Sequence, residues 1–396
     1  MSPGHRRVET ALAVLFALVI LVAGGVAIYS VISTVEPFYT DPVAVPSTAA
    51  SPPAEPHSGA VAEAQRLARA RLVQDNFPGL SAAVAKDGDI VWAEGFGYAD
   101  DGRRATVTPR MRFRTGSVSK TLTAAGVAVL YDRKRIDLDA PVQTYVSAYP
   151  KKQWTVTTRQ LLGDVAGVHR LRGDGGNDQT PRGICRTVNE ALQTFAYEPL
   201  AFEPGTRYRF STSGWILLSA VIEGAAGEPF PAFMGREVFA PLGMDRTVLE
   251  GTDEDAETAV FDPVRTEQEG PMAADYSCTM GASAFLSTPS DLVRLGSAML
   301  IPRLLKADTI ALFQTPQQLK NGSITDFAMG WKVETIALAG AQVRVLRHRA
   351  SLIGGAVSLY LIPDRGLAIA TMSNVQNTVG LEAFTLEVAE LFSRSR

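Results

Sequence analysis

The sequence is poor in the residues that most metal and nucleic-acid sites require. Its 396 residues include two cysteines and four histidines. The histidines are His5, His57, His169 and His348. No two of them stand at metal-ligand spacing, which argues against a zinc site. Lys and Arg total 38 against 41 Asp and Glu, a net charge of -3, whereas phosphate binding needs a Lys/Arg-rich face. We therefore expect no metal, no cofactor and no nucleic-acid partner.

The N-terminal 35 residues have a different character from the rest. From Ala11 to Ile32 the chain is apolar apart from Ser30 and carries no charge. A helix over this run would be about 33 Å long, enough to cross a bilayer. A cleaved signal peptide is the alternative, but it has a shorter apolar core and a small-x-small cleavage site. Residues 1–35 are therefore interpreted as a cytoplasmic stub and a single transmembrane anchor.

Flanking charge predicts the orientation of this anchor. Arg6 and Arg7 precede the span, and no further Lys or Arg occurs until Arg66. The positive-inside rule places the N-terminus in the cytoplasm and the rest of the chain outside it. Residues 36–58, rich in Pro, Ala and Ser, are interpreted as a linker. Residues 59–396 are expected to form the folded domain.

Strand patterns occur at both ends of this domain, and helical patterns lie between them. Asp87-Gly88 separates two apolar runs and predicts a hairpin. A helix is expected to begin near Ser117, and a last one spans roughly residues 381–392. Late strands are predicted at residues 343–348, 356–362 and 367–373. We expect an α+β fold in which one antiparallel sheet is built from both ends around a helical insertion. The polar loop 167–183 is interpreted as a rim over a site.

A Ser-x-x-Lys motif carries the strongest chemical signal. Ser117 and Lys120 share one face of the predicted helix. Serine needs an adjacent base to become a nucleophile, and a desolvated lysine can be that base. The alternative makes Ser117 a helix N-cap, because about one such motif arises by chance in a chain of this length.

Several ordered motifs resemble the serine β-lactamase and penicillin-binding-protein superfamily. The similarity is closest to class C-type esterases, peptidases and the mitochondrial serine β-lactamase-like proteins. The matching segments are residues 113–146, 156–170, 204–223, 238–247, 285–300, 327–333 and 347–376. The resemblance implies a β-lactamase/transpeptidase-like fold over the domain.

The resemblance also implies roles for particular residues. Ser117 would be acylated, and Lys120 would help to remove its proton. Phe210-Ser211-Thr212 stands in the place of a second motif that is usually Tyr-x-Asn or Tyr-Ser-Thr. His348-Arg349-Ala350 stands in the place of Lys-Thr-Gly or His-x-Gly. The N–H of Ser351 would join that of Ser117 in an oxyanion hole.

This sequence departs from the family pattern at several positions. Phe210 lacks the phenol that assists proton transfer. Tyr208 lies on the same side of an extended segment and is a candidate replacement, although a packed surface aromatic is the alternative. Ala350 replaces a glycine and is expected to narrow the cleft. Asp164 and Ala166 replace the usual His and Ser of the LLxHxSG segment, which puts the geometry of that loop in question.

His348 and the cysteines each leave two interpretations open. His348 is either a partner for a substrate carboxylate or hydroxyl and for Lys120, or a packed, hydrogen-bonded side chain. Arg347 and Arg349 alternate with it on a strand and are expected to face solvent. Cys185 and Cys278 form either a disulfide that fixes the rim or two separate thiols.

Two functions remain open at this point. The first is a membrane-anchored serine hydrolase that acts through an acyl-enzyme on small esters, amides or peptides. The second is a catalytically degraded domain that serves as a binding or scaffolding module. Antibiotic hydrolysis is disfavoured, because the missing phenol bears on water activation.

Overall fold

The structure, a computed structural model, distinguishes two units, Met1–Thr40 and Asp41–Arg396. The residues it describes are 37–100, 105–169, 184–251, 259, 275–352 and 354–394. The predicted anchor in residues 1–35, and residues 170–183 of the predicted rim loop, lie outside these described residues. Within the described ranges, no single helix is long and apolar enough to cross a membrane. One bent pair, Thr212–Ala226 with Phe230–Leu242, meets the test jointly by length and composition alone.

The strands within the described residues form one large sheet and one small one. They are β1 (Ser47–Ala49), β2 (Gly79–Lys86), β3 (Asp89–Gly97), β4 (Phe113–Arg114), β5 (Val248–Leu249), β6 (Phe285–Ser287), β7 (Lys332–Leu338), β8 (Ala341–Leu352), β9 (Gly355–Ile362) and β10 (Leu367–Ser373). The large sheet is antiparallel, in the order β1-β3-β2-β10-β9-β8-β7, and the small one has the order β4-β6-β5. Because β10 pairs with both β2 and β9, the sheet joins the two ends of the domain, as predicted.

Local turn chemistry explains the two hairpins that the sequence predicted. Asp87 and Gly88 between β2 and β3 have φ of 50° and 96°. Two positive φ values are what a type I′ hairpin turn requires, and Asp-Gly is a preferred pair for it. Between β9 and β10, a 3₁₀ turn over Pro363–Arg365 ends at Gly366, whose φ is 59°.

The predicted linker is not wholly a linker. Ser47–Ala49 forms β1 and pairs with Glu94–Phe96 of β3, and Asp41 caps a 3₁₀ turn over Pro42–Ala44. The interpretation of residues 36–58 as a tether is therefore wrong for this segment. Composition cannot indicate that a distant strand offers an open edge, and β1 covers the edge that β3 would otherwise expose.

Helices cover both faces of the large sheet and fill the region between its two ends. They are α1 (Ser58–Gln74), α2 (Ser119–Asp132), α3 (Thr158–Leu162), α4 (Val188–Gln193), α5 (Thr212–Ala226), α6 (Phe230–Met234), α7 (Pro289–Ala298), α8 (Ala307–Phe313) and α9 (Thr378–Arg394). Thr385 of α9 hydrogen-bonds Thr371 on β10, whereas Gly296 of α7 approaches Ala368. Since alternate residues of a strand face opposite sides, α9 and α7 pack on opposite faces.

The inserted helical region positions the catalytic candidates. Helix α2, which follows Ser117, packs against α5, and both helices are almost wholly buried. Trp215 of α5 and Trp331 beside β7 are among the largest fully buried side chains. The α+β architecture predicted from the sequence is therefore present, with a buried helical core behind the site.

Candidate active site

The chain makes a sharp turn where Ser117 enters α2. Gly116–Val118 forms a 3₁₀ turn, and Gly116 has φ of 50°. A Cβ at Gly116 would lie 3.0 Å from Ala350 Cβ and 3.0 Å from Leu352 Cδ2. Glycine is therefore required both by the backbone conformation and by the close approach of β8. Ser117 is half-buried at this point. Its hydroxyl faces the strand that carries the third motif, because it hydrogen-bonds to a carbonyl of that strand.

A closed hydrogen-bond ring holds the base of this turn. Thr115 Oγ1 donates to Phe285 O at 2.8 Å, and Phe285 N donates to Ser119 Oγ at 3.2 Å. Thr115 Oγ1 and Ser119 Oγ are 2.7 Å apart. Because the Thr115 proton already goes to the carbonyl, Ser119 must donate to Thr115. The Ser119 hydroxyl is therefore fully used in structural hydrogen bonds, and Ser117 is the accessible serine of the motif.

The open edge of β8 meets Ser117. Ser117 Oγ donates to Arg349 O at 3.0 Å. The pairing of β7 with β8 reaches only as far as Arg347, so residues 348–352 expose the edge away from β9. The N–H and C=O of one residue point to the same edge, and alternate residues share it. The Ser351 N–H therefore lies on the same edge as the Arg349 carbonyl, which is the placement that an oxyanion hole with the Ser117 N–H requires.

Lys120 is fully buried one helical turn from Ser117. Its Nζ donates to Ala282 O at 3.0 Å and lies 4.5 Å from the centre of the Phe210 ring. The ring face is the negative end of its quadrupole and attracts an ammonium. Phe210 therefore contacts Lys120 with a ring face, at the position where the family pattern has a phenol.

A short irregular segment supplies the acceptor for Lys120. Residues Ser277–Ala282 form a 3₁₀ segment in which Met280 has φ of 44°. Gly281 O accepts from Thr123 Oγ1 at 2.8 Å, and Gly281 N donates to Ser219 Oγ at 3.1 Å. The segment is thus tied to both α2 and α5, and it fixes the depth at which Lys120 sits.

A disulfide anchors the same segment. Cys185 and Cys278 are bonded, with their Cα atoms 4.7 Å apart, and Cys185 N donates to Ser277 Oγ at 3.0 Å. Of the two alternatives left open by the sequence, the structure has the bridge. Among the described side chains, no group of three His, Cys, Asp or Glu is placed to hold a metal ion.

Asp164 organises the second-motif segment, a role that sequence reasoning missed. It has φ of 54° and is 3% exposed. Its Oδ1 accepts from Ser211 N and from Trp215 Nε1, both at 3.2 Å. Its backbone carbonyl accepts from Arg209 N at 2.8 Å. A carboxylate beside the N-terminus of α5 is favourable to that helix, but Asp164 precedes Ser211 by 47 residues, so no local sequence pattern indicated this pairing.

The same contacts define where Thr212 lies. Ser211 is the N-cap of α5, and its Oγ accepts from Gly214 N at 3.2 Å. Thr212 is the first residue of the helix and is 8% exposed. Ala166, in the loop that carries Asp164, is 4% exposed. The substituted loop is therefore a packed, hydrogen-bonded support for the second motif.

Tyr208 lies at the rim and packs on an aromatic neighbour. Its side chain is 37% exposed, and its ring centroid is 5.4 Å from that of Phe327. Burial, with a smaller contribution from the Asp164 and Asp326 charges, raises the pKa of the phenol well above its usual range. Phe210 is the ring that faces Lys120, so Tyr208 contributes a protonated, packed aromatic at the rim.

His348 is a buried, neutral imidazole. It is 6% exposed, and its Nδ1 lies 2.8 Å from Gly330 O. A carbonyl can only accept, so Nδ1 carries the proton. Burial, aided by the Lys120 charge, lowers the pKa of His348 to about 3. A neutral ring cannot supply positive charge to a substrate carboxylate, so the packed interpretation of His348 fits the geometry better than the carboxylate-binding one.

The arginines that flank His348 do not both face solvent. Arg347 is 9% exposed; it pairs with Glu334 on β7, and its Nη1 is 3.9 Å from Glu382 on α9. Arg349 also pairs with Glu382. The expectation of solvent-facing arginines is wrong for Arg347, because α9 covers that face of the sheet and supplies a carboxylate. Both side chains do lie on the face opposite His348.

Comparison with known proteins adds to this geometry. Residues 64–391 match the family model described as Beta-lactamase. The chain is 27% identical to the serine beta-lactamase-like protein LACTB, mitochondrial, of Mus musculus, over 89% of this chain and 83% of that protein. It is 25% identical to penicillin-binding protein 4* of Bacillus subtilis, over 78% and 70%. The solved structure of FmtA from Staphylococcus aureus superposes with a TM-score of 0.68 over 83% and 89% of the two chains at 16% identity, which indicates a shared fold.

Proposed function

Because this chain belongs to the Beta-lactamase family of serine hydrolases, we propose that it is a hydrolase whose Ser117 forms an acyl-enzyme with small esters, amides or peptides. One observation carries the proposal. The Ser117 hydroxyl lies on a sharp turn against the open edge of β8, with the buried Lys120 one helical turn away. That arrangement combines a nucleophile, a candidate base and two candidate oxyanion donors.

The acylation step uses these groups in order. Ser117 Oγ first turns from the Arg349 carbonyl towards Lys120, which takes its proton in the neutral amine form. Oγ then bonds to the substrate carbonyl carbon, and the N–H groups of Ser117 and Ser351 stabilise the oxyanion. The proton passes to the leaving oxygen or nitrogen as its bond to carbon breaks. Water later cleaves the acyl ester, releasing the acid and restoring the Ser117 hydroxyl.

The second-motif side limits the rate of this cycle. General acid–base assistance contributes roughly 10²–10⁴-fold, and Phe210 has no hydroxyl with which to give it. Oxyanion stabilisation is often the larger contribution and uses backbone groups that this site retains. We therefore expect slow turnover in which deacylation is the weaker step.

A second candidate function rests on the crowding of the cleft. The Ala350 methyl group lies where a family glycine leaves space, and it closely approaches Gly116. Together with Phe210, this favours a domain that binds ligands without turning them over. The presence of both Ser117 and Lys120 favours the hydrolase instead, because binding alone requires neither group.

We also propose that the domain stands outside the cytoplasm on a single N-terminal anchor in residues 1–35. The charge asymmetry around that segment supports this orientation, and so does the Cys185–Cys278 disulfide, since disulfides persist in oxidising compartments. Protease added to spheroplasts of cells that express the full chain tests it, and digestion of the domain is the expected result. Protection of the domain from externally added protease in spheroplasts would contradict the proposal.

Covalent labelling tests the hydrolase proposal directly. The full-length chain in nonionic detergent is treated with a fluorophosphonate and, separately, with a penicillin, and its intact mass is measured beside a Ser117→Ala variant. A fluorophosphonate adduct on the parent but not on the variant is the expected result. Absence of an adduct on a parent protein that circular dichroism shows to be folded would contradict the hydrolase and favour the binding module.

A further inference from the structure

We propose that the site selects uncharged substrates with an apolar acyl group, and that Tyr208 and Phe327 determine this selectivity. The inference rests on the proposed function, because it names the substrate class of the same site. It follows from two features of the described residues around Ser117: aromatic rings on both sides of the site, and cations that are buried or directed elsewhere.

Aromatic rings lie on both sides of the site. Phe210 covers the Lys120 ammonium. On the other side of the site, the Phe327 ring stands edge-on to His348 with centroids 6.2 Å apart. Tyr208 packs on Phe327 at 5.4 Å and extends to the surface, 37% exposed. An acyl group bonded to Ser117 therefore has rings beside it, which favours apolar and aromatic groups.

The positive charges described near Ser117 are not directed at an incoming anion. Lys120 is 0% exposed and donates to the Ala282 carbonyl. His348 lies on the site face of β8 as a neutral ring whose Nδ1–H is used by Gly330 O. Because the Lys120 ammonium is buried and His348 is neutral, a substrate carboxylate in the cleft would lose its hydration without forming an ion pair with either group.

The arginines of the third-motif strand are turned to the other face. Arg347 pairs with Glu334, and Arg349 pairs with Glu382. Glu334 lies on the neighbouring strand β7, and Glu382 lies on α9, which covers the far face of β8, so the guanidinium groups are neutralised away from the cleft. Strand β8 therefore offers backbone groups to the substrate, while its two arginine side chains point away from the cleft.

Three thioesters test this inference on the full-length chain in detergent. They are phenylacetyl methyl thioglycolate, the same compound with a free carboxylate, and acetyl methyl thioglycolate. Values of kcat/KM are corrected for the rate of hydroxide-catalysed hydrolysis. We expect the neutral phenylacetyl ester to exceed the carboxylate compound by about tenfold or more, since an unpaired buried charge costs more than 1.4 kcal/mol. It should also exceed the acetyl ester.

Matched variants locate the selectivity. Tyr208→Ala and Phe327→Leu should each lower the phenylacetyl-to-acetyl ratio by about 3- to 10-fold, the loss of one aromatic contact. Tyr208→Phe keeps the ring and should leave the ratio unchanged. Faster turnover of the carboxylate compound, or ratios unchanged in both ring-removing variants, would overturn the inference while Ser117 labelling kept the proposed function intact. Failure of Ser117 to label with a fluorophosphonate would overturn both.

Discussion

The two sides of the cleft differ in what they present to a substrate, although both are built on buried polar contacts. On the nucleophile side, Ser117 and Lys120 retain reactive groups, and Lys120 is anchored on the Ala282 carbonyl. On the second-motif side, Asp164 anchors the backbone of residues 209–211, but the side chain presented to the cleft is the ring of Phe210. The nucleophile side therefore carries the reactive groups, whereas the second-motif side contributes only an apolar surface.

The second-motif side has lost a catalytic hydroxyl, but it has kept an ordered structure. Asp164 is a buried carboxylate, which is costly unless donors satisfy it, and here two buried N–H groups converge on it. The second-motif side is thus an ordered, hydrogen-bonded part of the fold. The ring of Phe210 is therefore held in a defined position. Mutations on each side of the cleft in turn test how the two sides differ.

Removing the disulfide should produce the largest effect, on the nucleophile side. Cys185 and Cys278 are 93 residues apart in sequence, and a cross-link of that span stabilises a fold by about 4.6 kcal/mol in the chain-entropy account. The double variant Cys185→Ser with Cys278→Ser should lose about this much free energy of unfolding, measured by urea denaturation. Ser117 labelling should also slow, because Lys120 is held by the same segment.

The reduced parent protein is the matched control for that experiment. Dithiothreitol should bring its unfolding midpoint close to that of the double variant and should not change the variant itself. Equal stability of the oxidised parent and the double variant would show that the bridge does not hold the nucleophile side.

Truncating Asp164 should produce the next largest effect, on the second-motif side. Asp164→Ala leaves Ser211 N and Trp215 Nε1 without their acceptor, and each buried unsatisfied donor costs about 1–3 kcal/mol. The free energy of unfolding should fall by about 3 kcal/mol, measured by urea denaturation followed through tryptophan fluorescence. Asp164→Asn keeps an acceptor oxygen and tolerates a positive φ, so it should lose about 1 kcal/mol or less. Equal losses for the two variants would mean that Oδ1 is not the anchor.

Restoring a phenol at position 210 would give the second-motif side a group capable of proton transfer. Phe210→Tyr places a hydroxyl on the ring that faces Lys120, and it should raise kcat for the neutral phenylacetyl thioester by about 100-fold, the lower end of the range for general acid–base assistance. Steady-state kinetics of the full chain measures this change. Tyr208→Phe removes the rim phenol and should leave kcat unaltered. A Phe210→Tyr enzyme no faster than its parent would show that this side acts only through shape.

The sequence allowed prediction wherever the controlling interactions are local. Asp87-Gly88 predicts its own hairpin because both residues tolerate positive φ. The Ser117–Lys120 pair follows from helical spacing alone. The resemblance to a family assigns the second motif to residues 210–212 and the third to residues 348–350, which lie at the start of α5 and on β8.

What could not be predicted depends on contacts between distant residues. The burial of Arg347 depends on Glu382, which α9 brings to the sheet. The pairing of β1 depends on the open edge of β3. The role of Asp164 depends on Trp215, 51 residues later, turning its indole back to the loop. In each case the partner is chosen by the tertiary fold, which composition and periodicity do not encode.

Over a single pH unit, His348 gives the smallest expected effect, and it tests directly whether water reaches the third-motif strand. Its pKa is lowered from 6.5 to about 3 in the folded chain, so between these pH values the unfolded chain binds more protons than the folded one. The free energy of unfolding must then decrease as pH falls from about 6.5, by up to about 1.4 kcal/mol per pH unit. His348→Asn retains a donor for Gly330 O but takes up no proton. The free energies of unfolding of variant and parent are measured by urea denaturation. Their difference should be constant above pH 7. As pH falls to 4, the parent should lose more stability than the variant. A difference that stays constant from pH 8 to pH 4 would mean that His348 titrates normally, and that water and anions reach the strand from which we infer they are excluded.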